Sequence, residues 1–413
     1  ANLKFNFNFG IRSLVAIAPI DGQYRPTGRP TPLENVSYLV IHGSHDGDVS
    51  AFSGLAQWQR IKFTDSKQHF KSAIWMYRAN HGQWNTVWNN KDNGQRSERW
   101  LNLDQLISPE EQRQFGKVIM TAFLEATLRD RAEYLPIFRD HRVIGNWLPK
   151  TMYITRFEES GMRALARFEE DVDVTTGSVA GVTLKGDSLS TWKEANVPLR
   201  WRNTTVGHNA VWLGWNNRIA GDDTTKRGQP ASFSITIGDS LRGAWALDST
   251  QAIVLSLAPT DATPGPRAAP KDTSKADSAK KAAAAKSKKK PPVKVKPDST
   301  PFDLTVEAVD EAGNAARVAL SAYGPVRRPL DIYVMRRRGR DKANYATTHE
   351  VVLQTFVIPI GDLVRAKPGF DAGRLKTIRL VFDRTVAGTI VLSDIGVSKI
   401  ARGFMTVSAA SGR

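Results

Sequence analysis

At 413 residues with 41% apolar content, the chain is long enough to build about two to three hydrophobic cores. It has no cysteine, which excludes a disulfide scaffold and a cysteine nucleophile, and no apolar run approaches the roughly 18 residues needed to cross a bilayer. The net charge of +17 is unevenly spread: residues 261–300 alone hold ten Lys, one Arg and four Asp.

In chain order, "ANLKFNFNFG" opens the sequence at Ala1 as a strand entry, without Met or a signal peptide, which implies a processed chain or a missing beginning. "IRSLVAIAP" (11–19) and "VSYLVIHG" (36–43) are near-continuous apolar runs of strand length, the pattern of strands covered on both faces. "SAFSGLAQWQRIKF" (50–63) reads as a helix with Leu55, Trp58 and Ile61 on one face, and "KSAIWMYRA" (71–79) as the next strand. "SPEEQRQFGKVIMTAFLEATL" (108–128) carries a full helix start: Ser108 as cap, Pro109 at the first helical position and Glu111 closing a capping box. Strand, helix, strand, helix predicts a parallel α/β sheet over 1–160.

From 161 to 413 the pattern is short β-rich runs between turn signals, from "NAVWLGWNN" to "GTIVLSDIGVSKI", which predicts an antiparallel sandwich. The Pro-, Ala- and Lys-rich stretch 261–300 lies between strand-like runs and reads as a disordered loop inserted into that sandwich. A second basic cluster, Arg327 to Lys342, lacks an aromatic-interleaved groove. It reads as a solvated face or a loose attraction for anionic cell-wall polymers, with no nucleic-acid partner.

In open α/β sheets, chemistry gathers outside the carboxyl ends of the strands. "GSHDGDV" (43–49) and "ANHGQW" (79–84) stand at two such ends and deliver Asp46 and His81. A carboxylate that orients an imidazole, which in turn serves a hydroxyl nucleophile, needs this placement. Asp48 is the competing acid, and Trp84, Trp88 and Tyr24 are candidates to line a substrate pocket.

"GSHDGDV" resembles the block that carries the acid of α/β-hydrolases, and "ANHGQW" resembles the loop that carries their histidine; "IAPIDGQY" (17–24) is similar to the strand and loop after the nucleophile helix in secreted esterases of this fold. The resemblance implies the C-terminal part of an α/β-hydrolase sheet fused to an all-β, jelly-roll-like sandwich. It also implies an acyl-serine esterase in which Asp46 holds His81 and His81 takes the serine proton. No G-x-S-x-G elbow occurs, so the family's chain order places nucleophile and oxyanion donors upstream of Ala1, and the 413 residues alone are expected to be inactive. No metal or organic cofactor is implied, the partner is a small or polymeric ester, and the setting is secreted or periplasmic.

Rival readings remain. "IHGSHDGDV" also resembles the acid block of prolyl-oligopeptidase-type peptidases. "GDSL" at 186–189 and 238–241 is read as turns rather than an esterase signature, because no His has Asp three residues before it. His42, His45, Asp46 and Asp48 form a candidate metal cluster without a further ligand block. "LKTIRLVFDRTVAGTIVLSDIGVSK" (375–399) resembles the closing strands of jelly-roll modules beside secreted hydrolases, many of which bind carbohydrate. A non-catalytic polysaccharide-binding protein, with Trp192, Trp201, Trp212, Trp215 and Trp245 as its platform, is the rival from another class.

Overall fold

A computed structural model describes residues 9–23, 28–221, 223, 225–268 and 301–400. The first sheet contains β1 (Ser13–Ile17), β2 (Ser37–Gly43), β3 (Phe70–Met76) and β4 (Tyr153–Glu159), in that spatial order. β1, β2 and β3 are parallel, whereas β4 returns antiparallel to β3. The expected all-parallel sheet therefore ends in one reversed strand. Short helix α1 (Leu55–Arg60), long helix α2 (Pro109–Leu128) and α3 (Leu135–Arg139) lie between the strands.

Every residue of β2 and β3 is buried, and the two-residue alternation divides them between two cores. Leu39, Ile41, Ile74 and Met76 face Phe115, Ile119 and Phe123 of α2. Tyr38, Val40, Ala73 and Trp75 face the other way, onto Leu55 and Trp58 of α1. The α1 helix is much shorter than the expected 50–63 span. Its predicted apolar face is nonetheless buried, with Leu55, Trp58 and Ile61 at 1–2% exposure. At α2, Ser108 Oγ accepts from Glu111 N and the Glu111 carboxylate accepts from Ser108 N, so the helix start is fixed by its own sequence.

The remaining strands form an antiparallel β-sandwich. They are β5 (Arg163–Ala166), β6 (Val182–Asp187), β7 (Thr191–Pro198), β8 (Thr205–Asn216), β9 (Ser232–Ile237), β10 (Gln251–Pro259), β11 (Thr305–Asp310), β12 (Ala315–Ala319), β13 (Gln354–Pro359), β14 (Leu375–Val381) and β15 (Ala387–Lys399). One sheet runs β13-β10-β15-β8-β7 with β5 also on β15, the other β12-β11-β14-β9-β6, and all pairings are antiparallel. Leu213, Trp215, Phe233, Leu255, Ile378 and Ile395 are among the side chains that fill the space between them. Helices α4 (Asp239–Trp245), α5 (Arg338–Asn344) and α6 (Ile360–Ala366) are short connections. No helix of the described residues is long and apolar enough to cross a membrane.

The inserted stretch departs from expectation at its start. Residues 261–268 are held, with Arg267 N donating to Arg218 O and Asn216 Nδ2 to Pro264 O; residues 269–300 lie outside the described residues. The first "GDSL" turns the chain from β6 into β7, with Ser188 at φ 56°, and the second begins α4.

The two units meet through a buried seam of charge. Lys71 Nζ lies 3.4 Å from Glu158 Oε2, and Glu158 Oε1 receives Arg167 at 2.9 Å. Arg156 bridges to Asp394 of β15 at 3.0 Å and to Ser393 Oγ at 2.6 Å. Both cations also lie against Trp58, with Lys71 Nζ 4.2 Å and Arg156 Cζ 4.1 Å from its ring. His208 of β8 reaches the same Ser393 at 2.6 Å.

Candidate functional site

β2 and β3 end side by side, and their loops are tied backbone to backbone: Ser44 N donates to Met76 O and His45 N to Ala79 O. The approach is so close that a Cβ on Gly43 would lie 2.6 Å from Ala79 O. The chain therefore needs glycine where β2 opens into the Asp46 loop.

The structure brings Asp46 and His81 together. Asp46 is fully buried; its Oδ1 accepts from Asp48 N at 2.9 Å and Val49 N at 2.6 Å, and its Oδ2 lies 2.9 Å from His81 Nδ1. A carboxylate can only accept, so Nδ1 carries the proton and Nε2 is left as the basic atom. Burial pushes the Asp46 carboxyl up, to about 7, against the pull of His81 and the loop N–H groups. At His81 burial opposes the charged form, yet Asp46, Asp48 and Asp92 outweigh it and hold the imidazole above its ordinary value. Nε2 meets Asp48 Oδ2 at 3.8 Å, too far for a hydrogen bond, so Asp48 acts on the ring by charge alone.

Of the proposed pocket residues, Trp88 is 52% exposed and stacks on His81, ring centroids 5.8 Å apart. Trp84 turns away instead, packing against Phe115 and over Gly116 of α2, which removes it from the substrate-facing set. Tyr24 lies outside the described residues.

The other two histidines of this region are held neutral. His42 stacks on Phe52 at 5.0 Å and burial lowers its pKa to about 3. His45 uses Nδ1 on Ser44 Oγ and Nε2 on Gln105 Oε1, and burial takes it to about 4. These engagements point the two rings to different neighbours rather than to one centre. Among the described residues no set of three or more His, Asp or Glu is placed to hold a metal ion.

Sequence reasoning missed Asp92, which fastens both loops. Its Oδ2 accepts from Gly47 N at 2.8 Å and His81 N at 3.0 Å, and its Oδ1 from Gly82 N at 2.8 Å and Asn80 Nδ2 at 2.7 Å. Gln112 of α2 then secures Asn80 by exchanging bonds with its backbone N–H and C=O. Asp92→Ala is expected to destabilise the protein by about 3 kcal/mol or more, since three buried N–H groups lose their acceptor at roughly 1–3 kcal/mol each. Urea unfolding measures this, and a loss under about 1 kcal/mol would show that the loops hold without it.

The Asp46 loop is also clamped from the sandwich side. Phe52 N donates to Glu350 Oε1 at 2.6 Å and Trp201 Nε1 to Ser50 Oγ at 2.9 Å. Burial raises the Glu350 carboxyl to about 7, with Arg200 pulling it back; Arg200 itself lies over the Tyr345 ring at 4.2 Å. None of these residues belongs to a recognisable motif.

The tryptophans expected to form a sandwich platform are otherwise engaged. Trp215 is fully buried and stacks on Phe382 at 4.1 Å, Trp192 and Trp245 pack on the sandwich core, and Trp201 and Trp212 pack at the junction with the first sheet. The large exposed indoles, Trp88, Trp100 and Trp147, are all in the first 160 residues.

No family model and no curated protein matches the chain. Among solved structures, the family 11 carbohydrate-binding module of cellulosomal cellulase Lic26A-Cel5E of Clostridium thermocellum is similar over 58% of this chain and 95% of its own, at 10% identity and a TM-score of 0.27. The family 30 carbohydrate-binding module of the cellulosomal cellulase Cel9D-Cel44B of C. thermocellum is similar over 55% of this chain and 96% of its own, at 12% identity and a TM-score of 0.27. An exo-beta-agarase is similar over 58% of this chain but 25% of its own, at 7% identity and a TM-score of 0.27. At such scores the sandwich rests on its own strand pairing.

Proposed function

We propose that Asp46 and His81 are the acid and base of a carboxylic ester hydrolase. The observation that carries this reading is the 2.9 Å bond from His81 Nδ1 to the buried Asp46, made at adjacent ends of parallel strands. In that chemistry Nε2 takes the proton of a serine hydroxyl as its oxygen attacks the ester carbonyl carbon. The imidazolium returns the proton to the departing alcohol, and water then enters by the same route to free the acid and the serine. Among the described residues no hydroxyl is hydrogen-bonded to Nε2, so the nucleophile is a further element of the proposal. A fluorophosphonate probe applied to the native gene product tests it. Labelling that disappears in His81→Ala is the expected result, and no labelling of the native product would overturn the reading.

A second reading is polysaccharide binding by the sandwich. What favours it is a row of polar side chains in register across the five-stranded sheet, Lys185, Ser234, Arg379, Glu307 and Arg317, in which buried Glu307 holds Arg317 and Arg379 and Arg379 Nε also donates to Ser234 Oγ at 3.2 Å. Retention on an insoluble polysaccharide, lost on Arg379→Ala, is its expected signature. Retention unchanged by that substitution, or none at all, would count against it.

A further inference from the structure

The segment entering α5 lies against the loop that follows Asp92. Arg336 N donates to Trp100 O at 2.8 Å and its Nε to Leu101 O at 3.0 Å, Asn102 N donates to Val334 O at 2.8 Å, and Leu101 and Met335 form a β-bridge. This pairing brings the segment that carries Arg99 and Trp100, the latter 41% exposed, against the segment that carries Arg336, Arg337, Arg338 and Arg340. All five arginines are exposed, and none forms an ion pair with a carboxylate among the described residues. Asp341, the carboxylate inside the same segment, is buried and turned inward to accept from Val334 N and Met335 N, so it does not neutralise the surface. On its other side Leu101 covers Gly47, next to Asp46: a Cβ on Gly47 would lie 2.7 Å from Leu101 Cδ2.

We infer that this surface binds an anionic polysaccharide, a chain of carboxylate-bearing sugars, and leads it past the Asp46–His81 pair. Arg336 Nε is spent on Leu101 O and Arg338 lies over the Tyr333 ring at 4.8 Å, but none of the five guanidinium groups is paired with a carboxylate among the described residues, which leaves them to match carboxylates spaced along a polymer. One exposed indole among them offers an apolar face for a sugar ring. A single-stranded nucleic acid would call for a succession of stacking aromatics, and the patch presents one. The inference stands on this surface and is independent of either reading above.

The test is equilibrium binding of the full chain to polygalacturonate, with neutral dextran as control, across a salt series. Polygalacturonate should bind with salt-sensitive affinity and dextran should not. Arg337→Glu, Arg338→Glu and Arg340→Glu together should weaken binding roughly tenfold or more and flatten the salt dependence, as expected when about three ionic contacts are lost. The same change in net charge placed on exposed Lys117, Lys367 and Lys376 should do much less. Trp100→Ala should lower affinity without altering the salt slope. Equal weakening by the two triple variants would overturn the inference, because the attraction would then belong to overall charge. So would a single-stranded DNA oligonucleotide that outcompetes polygalacturonate through the same arginines.

Discussion

Asp46→Asn is expected to reduce the ester hydrolysis proposed above about 10³- to 10⁴-fold and to lower the pKa of His81. Asn offers one amide where the carboxylate made three bonds, so the imidazolium loses its partner and the ring loses the bond that fixes its tautomer. With the His81 pKa raised in the folded protein, hydrolysis should climb with pH through a midpoint above 6.5, as Nε2 loses its proton. In the Asn variant that midpoint should fall. The stability effect has the matching sign. A raised imidazole pKa contributes stability that is fully present below the unfolded value and fades as pH rises through the folded one. The difference in unfolding free energy between the two proteins should therefore be larger near pH 6 than near pH 9. Titration of the His81 ring by NMR separates structure from catalysis; a midpoint untouched by the substitution would refute the electrostatic link between the two residues.

Glu158→Gln should destabilise the protein by about 3–5 kcal/mol, the usual cost of leaving a buried ion-pair partner uncompensated. Lys71 and Arg167 both meet this carboxylate, and Lys71 is 1% exposed, so water cannot take over. Burial opposes ionisation of Glu158, yet Lys71, Arg167 and Arg156 hold its pKa down to about 2. A depressed carboxylate pKa contributes stability above the unfolded value of about 4.3, and that contribution is lost as pH falls through the folded one. Urea unfolding should thus find the gap between wild type and variant constant from pH 7 to about 5, then narrowing toward pH 2. Adding Lys71→Met should recover part of the loss, because the stranded ammonium is removed. If it recovers nothing, the cost of the single change lies in packing instead of charge.

Much of this architecture can be read from local residue patterns. The Ser108, Pro109 and Glu111 start of α2, the unbroken apolar run of β2 and the short β-rich runs between turn signals from β8 to β15 each carry their own signal. β4 gave none: in "YITRFEE" the charges of Arg156 and Glu158 suggest a wet surface, but they are satisfied inside the protein by Asp394 and Lys71. β7, with Lys193 and Glu194 in an edge strand, is disguised in the same way. At the site, Asp46 and His81 could be singled out because each lies in the loop just past the carboxyl end of a strand, β2 and β3. Asp92 looks like any turn residue in "NNKDNGQ", and Glu350 meets Phe52 across 298 positions of sequence. Partnerships of that kind are created by folding and leave no local mark.

The clamp on the Asp46 loop bears on how such a protein can be rebuilt. Because Glu350 and Trp201 grip Phe52 and Ser50 from outside the first sheet, the sandwich is not an interchangeable cassette. Grafting another β-module in its place would free the loop that carries Asp46, even if every residue of the first 160 were retained. A chimera would have to transplant those two anchors, along with the Asp394 and Ser393 landing points for Arg156, before the strand ends could be set as they are here.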